Sequence, residues 1–145
     1  MAIHVQFPIA VHLLAVLGFC RGRDMTSAHL AGSVNTSPSF VRRVLAKLSR
    51  AGLVETATGK AGACWLAKAP GDISLLDIYE AVDAPKAFSI HSYREQKVCP
   101  VSCSIKAVLE KVLCQTQKAM EASLRETSLA QIITEIKKKK KSHKL

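Results

Sequence analysis

Basic side chains recur on one face of segment 37–50, and this pattern could bind a polyanion. Aliphatic residues at i, i+3, i+4 and i+7 indicate a helix with one buried face: Val41, Val44, Leu45 and Leu48. The opposite face holds Ser39, Arg42, Arg43, Ala46 and Arg50, with Lys47 beside them. One apolar face and one cationic face are typical of a helix that packs on a small core and lies against nucleic acid.

The five cysteines are the other residues that could do chemistry. The most apolar run, 7–20, is shorter than the roughly 20 residues that span a bilayer, and no basic region precedes it as in a signal peptide. We therefore expect a cytoplasmic protein without membrane association. Its thiols are then reduced, bind a metal or sense oxidants, rather than forming a disulfide framework. No Ser/His/Asp or Cys/His set can be assembled, so we expect no enzyme.

The net charge of +10 over 145 residues is unevenly distributed. Residues 1–70 hold eight Lys/Arg against two Asp/Glu, residues 71–136 hold seven against nine, and residues 137–145 add six lysines. This asymmetry predicts a nucleic-acid-binding head (1–70), a helical dimerisation or sensor region (71–136) and a disordered lysine tail (137–145).

Capping signals predict a helix-turn-helix. Thr26 is a good N-cap for a helix to about Gly32, and a polar turn follows at 33–36. Ser37 and Pro38 then supply a serine cap and a proline at the first helical position.

Two β-prone runs, 53–56 and 64–67, flank the glycine-rich turn 59–62 and predict a hairpin. A helix-turn-helix followed by such a hairpin is a winged helix, in which Lys60 would reach a phosphate or the minor groove. The expected fold is thus mainly α with a small β-wing, followed by a long C-terminal helix.

The second half predicts helices that need a partner. Ser74 has the pattern of a capped helix start, 84–100 has no clear period, and Ser128 with Gln131 forms another capping-box pattern. Between them an apolar stripe marks a long amphipathic helix: Ile105, Val108, Leu109, Val112, Leu113, Met120 and Leu124. A second copy of the chain is the simplest partner for this stripe.

Several stretches together carry a family resemblance: "FPIAVHLLAVL", "SVNTSPSFVRRVLAKLSRAGLV", "GKAG", "ISLLDIYEAV" and "CPVSCSIKAVLEKVL". Over roughly residues 3–136 the chain resembles the winged-helix repressors that include the iron–sulfur cluster regulator, the nitric-oxide-sensing repressor and the cysteine-metabolism regulator. The resemblance implies a homodimer with crossing C-terminal helices, whose recognition helices enter successive major grooves of a palindromic operator.

The resemblance also assigns DNA contacts. It implies base or phosphate contacts from the recognition helix at Thr36, Ser37, Ser39, Arg42 and Arg43, and a wing contact at Lys60. Either Arg42 or Arg43 would read guanine, and Lys47 and Arg50 would contact phosphates.

Cluster-binding members of this family carry three closely spaced cysteines before the long helix. The candidates here are Cys99, Cys103 and Cys114, but Cys114 falls well inside the helix, and His91 is the only imidazole nearby. The alternatives are no cofactor with inert thiols, a redox- or electrophile-sensing pair at Cys99 and Cys103, or an iron–sulfur cluster. A winged-helix module that binds a metabolic enzyme or another protein, with little specific DNA binding, is the alternative function.

Overall fold

The computed structural model of the protein describes residues 4–57 and 62–142, which form six helices and one small antiparallel sheet. The helices are α1 (Gln6–Phe19), α2 (Ser27–Val34), α3 (Pro38–Arg50), α4 (Leu75–Ala81), α5 (Pro100–Glu126) and α6 (Leu129–Ser142), with a 3₁₀ turn at Pro70–Asp72. The strands are β1 (Met25–Thr26), β2 (Val54–Thr56) and β3 (Ala63–Leu66), in the order β1-β3-β2. The predicted fold class is confirmed, and β1 is an addition that the sequence did not indicate.

Helix α1 is the centre of the head, and α2, α3, α4, α6 and β3 all pack around it. It is apolar on nearly every side, so it is stable only when it is covered on several sides. Leu13 and Leu14 are fully buried in it. His12 interrupts this apolar helix without being a packed core residue. The His12 ring is exposed, and its Nε2 lies 3.0 Å from the Ser33 hydroxyl at the end of α2.

Helix α3 buries the stripe that its spacing predicted. Val41, Val44, Leu45 and Leu48 are all at most 5% exposed and belong to the same core as α1. Burial of one face leaves the other face of α3 in solvent.

The segments before α4 and before α6 are joined by backbone hydrogen bonds. The Leu75 amide donates to the Thr127 carbonyl at 2.9 Å, and the Leu129 amide donates to the Ile73 carbonyl at 2.8 Å. Ser74 and Asp77 form a reciprocal capping box at the start of α4. These bonds return the chain from α5 to the head, so α6 packs against α1.

Helix α6 corrects the prediction of a disordered tail at residues 137–145. The helix continues through Ser142, and residues 143–145 lie outside the described part of the chain. Lysine is a good helix former, and its charge is favourable at a helix C-terminus. The Nζ atoms of Lys137 and Lys140 also lie 5.9 Å and 5.3 Å from the centre of the Phe19 ring, within cation–π range.

Helix α5 leaves the head. It has 27 residues, all of them described, and none of them is buried. At about 1.5 Å per residue it is roughly 40 Å long. Within the described ranges, no helix is both long enough and apolar enough to cross a membrane.

Two buried side chains, Leu129 and Ile133, attach α6 to the head. Ile133 is 5% exposed, and its Cδ1 lies only 2.4 Å from where a Cβ on Gly18 would stand. We expect Ile133→Ala to lower the free energy of unfolding by about 2–4 kcal/mol, since it removes buried methyl groups and leaves a cavity. Ile136→Ala, one turn further along the same helix at 43% exposure, is the matched control and should cost less than about 1 kcal/mol. Urea unfolding measures both. Equal losses would mean that α6 is not held on the head in this way.

Candidate nucleic-acid interface

The turn between α2 and α3 is built from backbone and side-chain caps. The Thr26 hydroxyl accepts a hydrogen bond from the His29 amide at 3.3 Å, which confirms the predicted N-cap. At the other end Asn35 adopts the left-handed conformation, with φ 58° and ψ 51°. The Thr36 amide then donates to the Ala31 carbonyl at 3.1 Å. Asparagine tolerates this conformation better than most residues, so α2 ends sharply and α3 can start at an angle to it.

The start of α3 is exposed and carries hydroxyl groups. Ser37 caps the helix by accepting a hydrogen bond from the Phe40 amide at 3.3 Å, and Pro38 occupies the first turn. Ser37 and Ser39 are exposed, and Thr36 is half-buried. A helix N-terminus with hydroxyl side chains is suited to a phosphate, because its free amide groups and its dipole both favour an anion.

Three arginines lie on the outward face of α3. Arg42, Arg43 and Arg50 are all exposed, and none of the ion pairs among residues 4–57 and 62–142 includes any of them. The Arg43 guanidinium lies 5.4 Å from the centre of the Phe40 ring, and the Arg50 Nε donates to the Ala46 carbonyl at 3.4 Å. Their charges are therefore available to a partner outside the chain.

A groove runs beside this face, between α3 and the base of the wing. It encloses about 450 Å³, and its lining residues come from α2, α3, β2 and the end of the turn: Ser27, Arg42, Leu45, Ala46, Ser49, Arg50, Thr56 and Gly62. Sequence reasoning missed the hydroxyls of Ser27, Ser49 and Thr56. In the sequence each of them is only a small polar residue near the end of a helix or strand. Such residues are too common to identify a binding site.

Lys47 does not lie with the arginines. Its Nζ donates to the Gln6 Oε1 at 3.1 Å and to the Val82 carbonyl at 3.3 Å, and it lies 3.8 Å from an Asp83 carboxylate oxygen. The side chain is 28% exposed and faces α1 and the end of α4. Its ammonium group is thus used inside the protein, contrary to the phosphate contact expected from the sequence. The reason is helical geometry, because position 47 borders the buried stripe.

The predicted wing contact, Lys60, lies outside the described residues. The adjoining Gly62 is described and has a φ of +55°, a conformation that favours glycine over residues with a Cβ. Strands β2 and β3 pair antiparallel, with Val54 opposite Leu66 and Thr56 opposite Cys64.

The two candidate sensor thiols lie at the start of α5. Cys99 is the N-cap, and its sulfur accepts a hydrogen bond from the Ser102 amide at 3.4 Å. Cys103 lies one turn further along, is exposed, and directs its sulfur toward the Gln96 carbonyl at 3.5 Å.

The remaining thiols are spread over the chain. Cys20 is half-buried, and Cys114 is exposed on α5. Cys64 is buried in β3, and the burial raises the pKa of its thiol by desolvation.

The cysteines do not fit an iron–sulfur cluster. The described residues contain no group of three or more His, Cys, Asp or Glu side chains placed to hold a metal ion. Cys103 and Cys114 are both on α5, so eleven residues at about 1.5 Å each separate them by roughly 16 Å along the helix axis. The ring of His91 stacks on Tyr93 with centres 4.8 Å apart. Two thiols remain at the helix start, fewer than the four ligands that such clusters use.

Comparison with known proteins agrees with this architecture. Residues 3–135 match the Rrf2 family, described as iron-dependent transcriptional regulators. Over 135 residues the chain is 33% identical to YwnA of Bacillus subtilis, provisionally named an HTH-type transcriptional regulator, and this match covers 92% of the chain and 98% of YwnA.

Two solved structures share the fold at lower identity. The global cysteine regulator CymR of B. subtilis aligns with a TM-score of 0.65 and 18% identity, covering 92% of this chain and 97% of CymR. IscR of T. potens aligns with a TM-score of 0.66 and 22% identity, covering 94% of this chain and 88% of IscR.

The fold is that of a winged helix-turn-helix protein, and the family match and the relative in B. subtilis place it in the transcriptional-regulator class. Within that class the chain belongs to the Rrf2 family, as its resemblance predicted.

Proposed function

We propose that the protein is a homodimeric, sequence-specific DNA-binding repressor that reads a palindromic operator. The observation that carries this proposal is the exposed arginine face of α3 beside the groove at the base of the wing. Membership in a family of transcriptional regulators supports it. A dimer bound at a promoter would block transcription by occupying the site.

In this proposal α3 lies in the major groove. Arg42 and Arg43 are at the position to read guanine, whose O6 and N7 accept a bidentate guanidinium. The hydroxyls of Thr36, Ser37 and Ser39 and the N-terminal amides of α3 contact backbone phosphates, as does Arg50. Lys60 remains a proposed wing contact. Lys47 is left out, because its ammonium group holds α3 to α1 and α4.

The proposed dimer forms through α5. Valines on α5 leave much of their surface in solvent: Val101 at 66%, Val108 at 57% and Val112 at 48%. With half-buried Ile105 they follow the spacing i, i+4, i+7, i+11, which is one stripe of a helix. Such an apolar stripe is stable in water only when it is covered, and α5 of a second copy supplies a matching stripe. A two-fold dimer would place its two α3 helices about 34–36 Å apart, one turn of DNA.

We also propose that the thiols of Cys99 and Cys103 control DNA binding. The Cys99 sulfur caps α5, so oxidation or alkylation of it would remove the acceptor for the Ser102 amide. Hydrogen peroxide would convert a thiol to a sulfenic acid with release of water. A frayed first turn of α5 would alter the dimer helix and with it the separation of the two α3 helices.

Removal of one reading arginine should weaken specific binding more than non-specific binding. We expect Arg42→Ala and Arg43→Ala each to cost about 1–3 kcal/mol on an operator found by selection of bound DNA fragments, because each removes a bidentate hydrogen bond to a base. Titration against operator and scrambled duplexes at fixed salt measures this. Arg125→Ala, which removes an exposed arginine at the end of α5, is the control. If the unaltered protein binds both duplexes equally, the proposal is wrong and the protein-interaction alternative is favoured.

A charge placed in the α5 stripe should separate the dimer. We expect Val108→Glu combined with Val112→Glu to give a folded monomer, because neither side chain is buried within one chain but both would be desolvated between two. Gln115→Glu adds a negative charge at another exposed position of α5 and should remain dimeric. Sedimentation equilibrium gives the mass, and circular dichroism checks the helix content. A monomeric unaltered protein would contradict the proposal.

Thiol control predicts a response that disappears when two cysteines are replaced. Peroxide should reduce operator affinity of the unaltered protein, and Cys99→Ser with Cys103→Ser should abolish the response. Cys64→Ser should leave it intact, because the raised pKa keeps more of the Cys64 thiol protonated at a given pH, and the thiolate is the reactive form. Operator titration before and after oxidation tests this, and a response that survives the double substitution excludes these thiols.

A further inference from the structure

The largest concentration of positive charge in the described chain is not on α3. It is a surface made by the end of α6, the loop after α1 and the segment after β3, which we call the α6–α1 basic surface. It consists of Arg21, Arg23, Lys68, Lys137, Lys138, Lys139, Lys140 and Lys141. All eight side chains belong to exposed residues, whereas the outward face of α3 carries three arginines.

Contacts with Phe19 and one shared cavity place several of these cations around the junction of α6 and α1. Lys137 and Lys140 stand over the ring of Phe19, the last residue of α1, and Arg21 follows two residues later. Arg21, Arg23 and Lys68 in turn line one cavity of about 530 Å³.

Acidic groups offset little of this charge. Asp24 lines the same cavity, and Glu135 pairs with Lys138 at 2.9 Å. Eight cations against these two carboxylates leave a strongly positive surface.

This surface is fixed relative to the recognition helix. α6 is held on the head by buried Leu129 and Ile133, and α1 belongs to the same core as α3. Arg23 precedes β1, the edge strand of the wing sheet on the side away from β2. β1 leads directly into α2, the first helix of the helix-turn-helix. The charges therefore move with the head when α3 engages DNA.

We propose that the α6–α1 basic surface binds backbone phosphates of duplex DNA that flanks the operator, outside the base pairs that α3 reads. The inference rests on the proposed function. A surface spread over a helix end and two loops is suited to an extended polyanion rather than one small anion. DNA presents about one negative charge for every 1.7 Å of its axis, so a surface with several cations can contact several phosphates at once. The contacts would add affinity without sequence preference.

The test variant is Lys139→Gln with Lys141→Gln. It leaves Lys137 and Lys140 on Phe19 and Lys138 on Glu135, so the helix keeps its contacts with the head. The control variant, Lys106→Gln with Lys111→Gln, removes the same charge from exposed positions of α5. Each protein is titrated over a range of salt with three duplexes: the minimal operator, the operator with about 10 base pairs, one helical turn, on each side, and a scrambled core with the same flanks.

We expect the unaltered protein and the control to bind the flanked operator more tightly than the minimal one. The test variant should lose this advantage while keeping its affinity for the minimal operator. On the flanked duplex, the slope of log K against log salt concentration should be shallower for the test variant. The change should be about 0.9 for each phosphate that is no longer neutralised, or roughly 3–4 for two lysines in each of two protomers.

Three results would overturn the proposal: no gain from flanks, equal losses on both operator lengths, or an equal loss in the control. In a further outcome, the test variant binds anionic phosphatidylserine vesicles more weakly than the unaltered protein does while binding flanked DNA equally well. That result would assign the surface to a membrane and would overturn the proposal as well. If the unaltered protein does not prefer the operator to the scrambled core, the proposed function itself fails. A preference for the operator without a flank effect would remove only this inference.

Discussion

The burial of four aliphatic side chains on α3 determines which face of this helix is exposed to solvent. Val41, Val44, Leu45 and Leu48 enter the core around α1, and each buried side chain of this type contributes about 1.5–3 kcal/mol. A rotation of α3 about its axis would expose part of this stripe and bury Arg42 or Arg43, and an unpaired buried charge is costly. The arginines thus face outward because of the hydrophobic effect, without any bond of their own that holds them there.

Features determined by neighbouring residues could be predicted from the sequence, and those determined by distant residues could not. The caps at Ser37 and Ser74 depend on residues three positions away, and both form as predicted. The environment of Lys47 depends on Gln6 and Val82, which are 41 and 35 positions away. Strand β1 likewise exists only because Met25 pairs with Cys64. The lysine run was mistaken for a disordered tail because its charge suggested solvation, while its contact with Phe19 is invisible in the sequence.

The proposed dimer and the proposed thiol control both follow from the exposure of α5. A helix of 27 described residues with none fully buried gains limited stability from its own head, and helical propensity alone is marginal in water. Its order in the protein therefore depends on what covers it and on how its first turn is capped. Cys99 provides that cap. The proposed thiol control would therefore act on the start of this helix.

Polar contacts connect α5, through α4, to α3. The Gln117 side chain on α5 donates to the Tyr79 hydroxyl on α4 at 3.1 Å and accepts from the Ala87 amide at 3.0 Å. One residue beyond α4, the Val82 carbonyl accepts from Lys47 of α3. A displacement of α5 would therefore be transmitted through α4 to the Lys47 side chain, which is 28% exposed. In the proposed dimer, Lys47 would therefore affect DNA binding without touching DNA, because it ties the orientation of α3 to the position of α5.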